Sequence, residues 1–566
     1  MQVEPAAWVL RGRPFEAQGN VASNGFPPIL THLIQERGLC PEGSFEAFLH
    51  PKWRDLSDPF LIPDMAMAVE RILQAVDGKE EVCIFGDYDA DGVSSITLLG
   101  RILEAYGLET RPFIPRRGSE GYGLSEAALR RCMDEGDRPE LLISVDCGTV
   151  SLKEAELLRS WGVDLVVVDH HEPLADARPH CAALVNPKCG VDFTYLCAAG
   201  VVFKLGHALL KARPNDRLDL RHLADLVAVA TIADIVPLTG ENRLLVRQGL
   251  RQLAETSHPG LHAIKQASGL EGVPSTGDVG FRIGPRINAA GRLDAPEDAL
   301  RTLMSRCSEE ARELALKLNA YNEERRNMEA LNLQEAEEML ANGTHPADCP
   351  VIVLGSRSWH PGVVGIVASK LMRNHHKPTF VIAIDAQGAG KGSGRSIEGL
   401  SLVEALRACE KDLVAGGGHA MAAGLTIREE HIDSFRKHLA AFVLANTTPE
   451  QRTPQLTYDA EVALDQLSLS FLDSYELLEP FGNGNPQPTF VSRSVSPDLE
   501  PKWLRGNHLK LLLRQGPARQ EAVYFGGGDK NLPEPPWDVA FTIDRNTYRG
   551  RTSLQLRIKD LRAARV

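Results

Sequence analysis

Four short apolar runs, each stopping at a carboxylate or an amide, constrain this chain more than any other feature. Val82-Cys83-Ile84-Phe85 ends at Gly86-Asp87 and Leu141 to Val145 at Asp146-Cys147-Gly148. Leu165 to Val168 ends at Asp169-His170-His171, and Ala183-Leu184-Val185 at Asn186-Pro187. Helical patterns alternate with these runs, the first from Val93 to Tyr106. Short continuous apolar runs alternating with helices predict a parallel sheet covered on both faces. Open parallel sheets bind ligands beyond the carboxyl ends of their strands. Three such ends carry acids or histidines: Asp87-Tyr88-Asp89-Ala90-Asp91-Gly92, Asp146, and Asp169-His170-His171. A fourth acid, Asp234, follows an apolar helix pattern from Leu226 to Ile232. Carboxylates converging on one crevice repel one another. Bound divalent cations relieve that repulsion, so the cluster points to metals rather than to bare acid–base chemistry.

Each piece alone has a plainer reading. A lone Asp-x-Asp is usually a solvated turn, and a lone His pair is usually structural. Asp87-x-Asp89-x-Asp91-Gly92 opens like an EF-hand loop, but the twelfth position is Leu98 where a bidentate Glu is needed. His375-His376 is a control: it falls at an expected helix C-terminus before Lys377-Pro378, where capping explains it. The three strand ends taken in order are what make the signal specific.

Further along, Pro296 and Gly343 bracket a run with no Pro or Gly, rich in Glu, Ala, Leu, Arg and Asn. A continuous helix over it would be about 70 Å long. Ser308 is a plausible N-cap at which it breaks. A second α/β lobe follows from Pro350 to about 446, with strands at Val351 to Leu354 and Thr379 to Ile384 and a helix from Gly362 to Met372. Its stretch from Gly388 to Ser396 is expected to cradle a phosphate with backbone N–H groups and Arg395. It is no Walker A loop, because Asp385 takes the first glycine position and Gly392 the magnesium-holding Ser or Thr position. Gly416-Gly417-Gly418-His419 sets a histidine on a flexible turn, although glycine triplets also serve tight turns alone. Alternating runs at Leu509 to Leu513, Ala522 to Phe525, Val539 to Ile543 and Ser553 to Ile558 predict a small β-barrel. Residues 1 to about 45 read as irregular.

Bulk properties set outer limits. A length of 566 residues suggests roughly three or four domains. The net charge of −13 argues against coating of nucleic acid by the whole surface but leaves room for a local basic channel. No stretch approaches the ~18 uncharged apolar residues of a membrane span. The start lacks a basic and then apolar leader, so a cytoplasmic protein is expected. The ten cysteines, from Cys40 to Cys409, contain no Cys-x-x-Cys pair, and Cys181, Cys189 and Cys197 have no second cluster to complete a zinc site. Reduced thiols fit that compartment.

The DYDADG, DHH (169–171) and GGGH (416–419) motifs resemble the DHH phosphoesterase superfamily with its glycine-rich associated domain. Phe281 to Arg292, Trp359 to Ile366 and Glu479 to Pro486 are similar to signatures of its bacterial RecJ-type exonucleases. The resemblance spans roughly residues 50 to 560. It implies an α/β fold class: an N-terminal arm (1–45), a parallel-sheet DHH domain (46–295), a connecting helix (296–345), a DHH-associated domain (346–448) and a C-terminal OB-like β-barrel (455–566). It implies 5′→3′ hydrolysis specific for single-stranded DNA in recombination and repair, with two Mn²⁺ or Mg²⁺ ions. Asp89 would hold one ion and Asp91 the other, Asp146 would bridge them, and His170 and Asp234 would complete the second site. Many superfamily members have His where Phe85 stands here, so the first ion would turn to Asp87 or water. His171 would face the scissile phosphate. Ser393, Arg395, Gly418 and His419 would hold the 5′ end, and Arg286 and Asn288 would fix the strand's backbone. A monomer is expected, with single-strand-binding protein, through its acidic tail, and a RecQ-type helicase as partners.

Two other readings compete. A small-substrate phosphodiesterase or pyrophosphatase would need no barrel. A non-catalytic DNA-binding scaffold would lack ligands, yet Asp89, Asp91, Asp146, His170 and Asp234 are all present. In the barrel, Lys502, Arg505, His508, Lys510, Arg545, Arg549 and Arg551 would track phosphates and some of Trp503, Tyr524, Phe525 and Tyr548 would stack on bases, the plainer reading being that most of these aromatics are barrel core. Phe525 reads as barrel core.

Overall fold

The structure is a computed structural model. It describes residues 6–15, 26–40, 45–116, 120–121, 123–343, 345–346, 348–529, 532–548 and 550–564. The four apolar runs are strands Val82–Gly86, Leu141–Val145, Asp164–Val168 and Ala183–Val185 of one all-parallel sheet. A fifth strand, Thr110–Phe113, pairs beside Val82–Gly86 at the edge. Sequence reading missed it because Arg111 and Pro112 interrupt any apolar run, and an edge strand tolerates proline. Side chains alternate along each strand. Val82 and Ile84 enter one core with the helices Ala90–Ala105 and Ala198–Ala212. Cys83 and Phe85 enter a second core on the other face with Leu129 and Leu158. Both faces are therefore covered and the strands' carboxyl ends open to one side.

The connecting run breaks into helices Pro296–Met304 and Ser308–Ala341. Ser308 begins the second helix and Cys307 is its N-cap, one residue earlier than expected. Ser305 shapes the break, its hydroxyl donating to Glu310 and accepting from the Cys307 N–H. The longer helix spans about 50 Å and carries the second lobe. That lobe is a five-stranded sheet in the order Leu413–Gly418, Ala422–Arg428, Ala389–Arg395, Thr379–Ile384, Ile352–Ser356. The helix Val364–His375 ends where the histidine pair was expected to cap it, and His376 has φ +48°.

The glycine-rich stretch is a correction. It is not a phosphate-cradling loop: Ala389–Arg395 is the central strand, paired on both sides with Thr379–Ile384 and Ala422–Arg428. Its N–H groups belong to the sheet. The glycines answer to crowding, since a Cβ at Gly394 would lie 2.4 Å from the Phe380 ring.

The C-terminal strands close into a barrel. Phe490–Pro497, Trp537–Tyr548, Arg551–Ala563, Ala518–Tyr524 and His508–Gln515 pair in that order, and His508–Gln515 returns to Phe490–Pro497 at Ser496↔Arg514. The described N-terminal residues, expected to be irregular, are part of this body. Ala7–Leu10 pairs with Gln455–Tyr458, and helix Pro28–Glu36 buries Leu30, Leu33 and Ile34 in the barrel core with Phe490 and Phe541. Among the described residues no helix is long and apolar enough to cross a membrane.

Candidate active site

The first acidic motif occupies the turn from strand Val82–Gly86 into helix Ala90–Ala105. Asp89 caps that helix, one carboxylate oxygen accepting the N–H groups of Asp91 (2.9 Å) and Gly92 (3.2 Å). Gly92 must be glycine, because a Cβ there would lie 2.3 Å from the Asp87 carbonyl oxygen. Asp91 projects from the first turn toward helix Ala198–Ala212, whose leading N–H groups, of Ala198 and Ala199, donate to its two oxygens at 2.7 and 2.9 Å. A helix N-terminus is a favourable seat for a carboxylate. Asp146 ends its strand with φ +60°, a conformation Asp tolerates better than most residues.

His170 sits at the centre of the acids. Its Nε2 lies 3.3 Å from Asp146 Oδ1, 3.7 Å from Asp234 Oδ2 and 3.8 Å from Asp91 Oδ2. Three overlapping groups form, Asp87/Asp89/Asp146, Asp91/His170/Asp234 and Asp146/His170/His171, with ligand atoms in each within 4.8 Å of one another. Burial, then the Asp89 charge, pushes the Asp91 carboxyl up to about 6. Burial, then Asp91 and Asp89, pushes Asp234 up to about 8. The same causes carry Asp87 and Asp146 well above the carboxylate range. Burial and the His171 charge lower His170 to about 4, leaving a neutral imidazole suited to ligation. Asp87 Oδ1 is buried without a hydrogen-bond partner. Acids this crowded, with an orphaned oxygen and a neutral histidine among them, fit a pair of divalent cations. Phe85 contributes nothing to them: its ring is buried and stacked on Phe113 at 5.1 Å.

His171 has a different environment. Burial alone would depress it, but the hydrogen bond to Asp169 (Nδ1 to Oδ1, 2.8 Å) and that carboxylate's charge raise it to about 9. Asp169 also accepts the N–H groups of Thr149, His170 and His171. Its burial is outweighed by His171 and these partners, and it is held well below the usual range. This orienting role of Asp169 was not assigned from sequence, although Asp169 stands in the motif itself.

Arg286 and Asn288, expected on the DNA backbone, face the protein. Asn288 Oδ1 accepts the Ala90 N–H at 2.7 Å and so fixes the acidic turn. Arg286 donates to Asn319 Oδ1 (3.0 Å) and the Arg282 carbonyl (2.6 Å). Both lie on helix Gly284–Arg292, whose last residue reaches the second lobe, Arg292 donating to the Gly362 carbonyl at 3.0 Å.

Between the lobes lies a cleft of about 750 Å³, walled by Arg292 and His360 and, from the second sheet, by Lys391, Ser393, Arg395 and Gly418. Lys391, Ser393 and Arg395 alternate along one strand and share a face. Arg395 donates to Ser393 Oγ (3.1 Å) and the Gly394 carbonyl (2.7 Å), and burial lowers its pKa. Among the described residues it has no carboxylate partner. Gly418 reaches the cleft, while His419 is exposed at the hairpin tip, its N–H donating to Ala422.

On the barrel, Trp503 and Tyr548 are 67% and 65% exposed, whereas Tyr524 is buried. Phe525, read as core, is half exposed, with the Arg557 guanidinium 5.0 Å from its ring centre. Arg545 is held by Asp473 and Glu476, and Lys510 by Glu521. Arg549 lies outside the described residues.

Comparison with known proteins identifies the domain types. The family models for the DHH family N-terminal domain, the DHHA1 domain and the RecJ OB domain match residues 81–231, 348–445 and 458–560. The single-stranded-DNA-specific exonuclease RecJ of Bacillus subtilis (strain 168) is 36% identical over 94% of this chain and 68% of its own length. RecJ of Thermus thermophilus in complex with Mn²⁺ superposes with a TM-score of 0.84 at 31% identity, covering 99% of this chain and 80% of that one. The same protein's Mg²⁺ complex gives 0.78 at 29% identity over 99% and 79%. Three domain models in one order and a relative of this identity across the whole architecture leave one assignment: the chain belongs to the RecJ family of DHH-superfamily proteins.

Proposed function

We infer that this chain is a metal-dependent exodeoxyribonuclease that degrades single-stranded DNA from the 5′ end in recombination and repair. One observation carries the reading: acids crowded around His170 share a molecule with a cleft whose far wall offers Arg395, a part-buried cation with no carboxylate partner among the described residues. An unpaired guanidinium lining a cleft is suited to phosphate.

Asp87, Asp89 and Asp146 would hold one Mn²⁺ or Mg²⁺, and Asp91, Asp146, His170 and Asp234 the other. Two such ions supply a nucleophilic water and charge stabilisation at the entering and leaving oxygens. Asp169 orients the ring through Nδ1, and His171 would donate to a non-bridging phosphate oxygen. Ser393 and Arg395, with Gly418 shaping the wall and His419 at the rim, would receive the terminal phosphate. Asn288 and Arg286 would act from behind, by setting the acidic turn and its helix. We assign chemistry to residues 46–295, end recognition to 346–448 and strand binding to 455–566. The exposed Trp503, Phe525 and Tyr548 support a stacking platform. A cytoplasmic setting, and partners such as single-strand-binding protein and a RecQ-type helicase, belong to the same proposal.

The alternative, a phosphodiesterase of small substrates, leaves that platform without a role. Digestion of end-labelled single- and double-stranded DNA with Mn²⁺ or chelator separates the two. Mononucleotides released from the 5′ end of long single strands, in Mn²⁺ alone, are expected. Cleavage confined to short oligonucleotides would favour the alternative.

A further inference from the structure

The segment that delivers Asp234 is held by the barrel. Asp234 closes helix Ala224–Ala233, its N–H donating to Ala230. The next residue, Ile235, has φ +61° and a side chain 71% exposed. A β-branched residue in the left-handed region is costly, and an exposed side chain gains little burial to offset it. External contacts must hold this turn. They come from Asn483, far away in sequence. Its Nδ2 donates to the Ile235 carbonyl at 2.7 Å, and its own carbonyl accepts the Leu238 N–H at 2.7 Å. Asn483 thus brackets both ends of Ile235–Leu238. Its neighbours press on the same segment: a Cβ at Gly484, which has φ +73°, would lie 3.0 Å from Pro237, and one at Gly482 would lie 2.7 Å from Leu238.

The clamp is itself anchored. Asn485 is buried and its Nδ2 donates to the Leu478 and Pro480 carbonyls, both at 2.9 Å, tying down the 482–485 turn that the Gly482 and Asn485 backbones close. Arg243, also buried, donates to the carbonyls of Leu477 and Leu478 at 2.7 Å each. From the catalytic side, Asn242 donates to the Pro237 carbonyl at 2.9 Å.

We propose that Asn483 is a positioning residue: it fixes the Ile235–Leu238 turn so that the Asp234 carboxylate meets Asp91 and His170, and cation occupancy there depends on the docked barrel. This rests on the metal-centre reading above. Asn483 supplies no ligand; its effect passes through Ile235.

The test uses the full chain and Mn²⁺ alone, with free Mn²⁺ followed by electron paramagnetic resonance. Wild type should take up two ions. Asn483→Ala, and the near-isosteric Asn483→Asp, should weaken one ion at least tenfold and leave the other unchanged. Affinity for single-stranded DNA in chelator should stay within twofold. Ile235→Asn added to Asn483→Ala should recover most of the loss, because Asn accepts the left-handed conformation. Isotherms of both single variants that superpose on wild type would overturn the proposal. So would an equal weakening of both ions, or a double variant with no recovery. A wild-type chain that binds no ion pair would instead remove the metal-centre reading, with this proposal following it.

Discussion

His170 and Asp234 show how position sets protonation. Without cations the acids face one another across short distances, and Asp234 retains its proton to about pH 8. A carboxyl raised in the folded state contributes stability that is fully present below its unfolded value, near 3.8, and is lost as pH rises through the folded value. The metal-free protein should therefore lose stability between about pH 4 and pH 8. Bound cations reverse the penalty by favouring the ionised form. The rise in melting temperature on adding excess Mn²⁺ should be larger at pH 8 than at pH 6, as measured by scanning calorimetry. A rise that shrinks with pH would contradict the ionisation pattern. At the same scale, Arg395→Ala should reduce use of 5′-phosphorylated strands more than 5′-hydroxyl strands. A charge-assisted contact of about 1.5–3 kcal/mol is at stake, and equal losses on both substrates would show that Arg395 does not read the phosphate.

At the scale of elements, the sequence announces what is local and conceals what depends on distant neighbours. The four apolar strands, the helix pair around Ser305–Cys307 and the acids at the strand ends are legible because each is written in contiguous residues. The Ala389–Arg395 strand is not legible, because repeated glycine reads the same in a loop and in a crowded central strand. What decides is Phe380 and Leu425, which come from other strands. Arg286 and Asn288 were assigned outward for a similar reason. Their partners, Asn319 and Ala90, lie on other elements, and no local pattern names them. Phe525 reads as core from sequence, yet with Ala522 and Tyr524 turned into the barrel it falls on the outer side, just past the end of its strand.

Across the whole molecule, the barrel is built into the catalytic body. Helix Pro28–Glu36 packs into the barrel core, while Arg243 and Arg247 of the catalytic domain donate to barrel carbonyls. Removing the barrel would bare the helix's apolar face and orphan a buried guanidinium, so substitutions on its surface test its role more cleanly than truncation. Trp503→Ala and Phe525→Ala should each weaken binding of long single strands by about 1–3 kcal/mol. Cleavage at saturating substrate should be nearly unchanged. Unaltered affinity, followed by fluorescence anisotropy at fixed salt, would turn the barrel's exposed aromatics toward docking of a protein partner.

Hydrolysis at a strand end rests on one centre of acids and histidine, in which Asp146 shares one ligand group with Asp87 and Asp89 and another with His170 and His171. The most direct measurement is single-turnover digestion of 5′-labelled single-stranded DNA by full-length Asp146→Ala, alongside its DNA affinity in chelator. Wild-type affinity is expected, with cleavage reduced by at least about a thousandfold in saturating Mn²⁺. Cleavage at the wild-type rate, or wild-type turnover in excess chelator, would overturn the metal-centre reading.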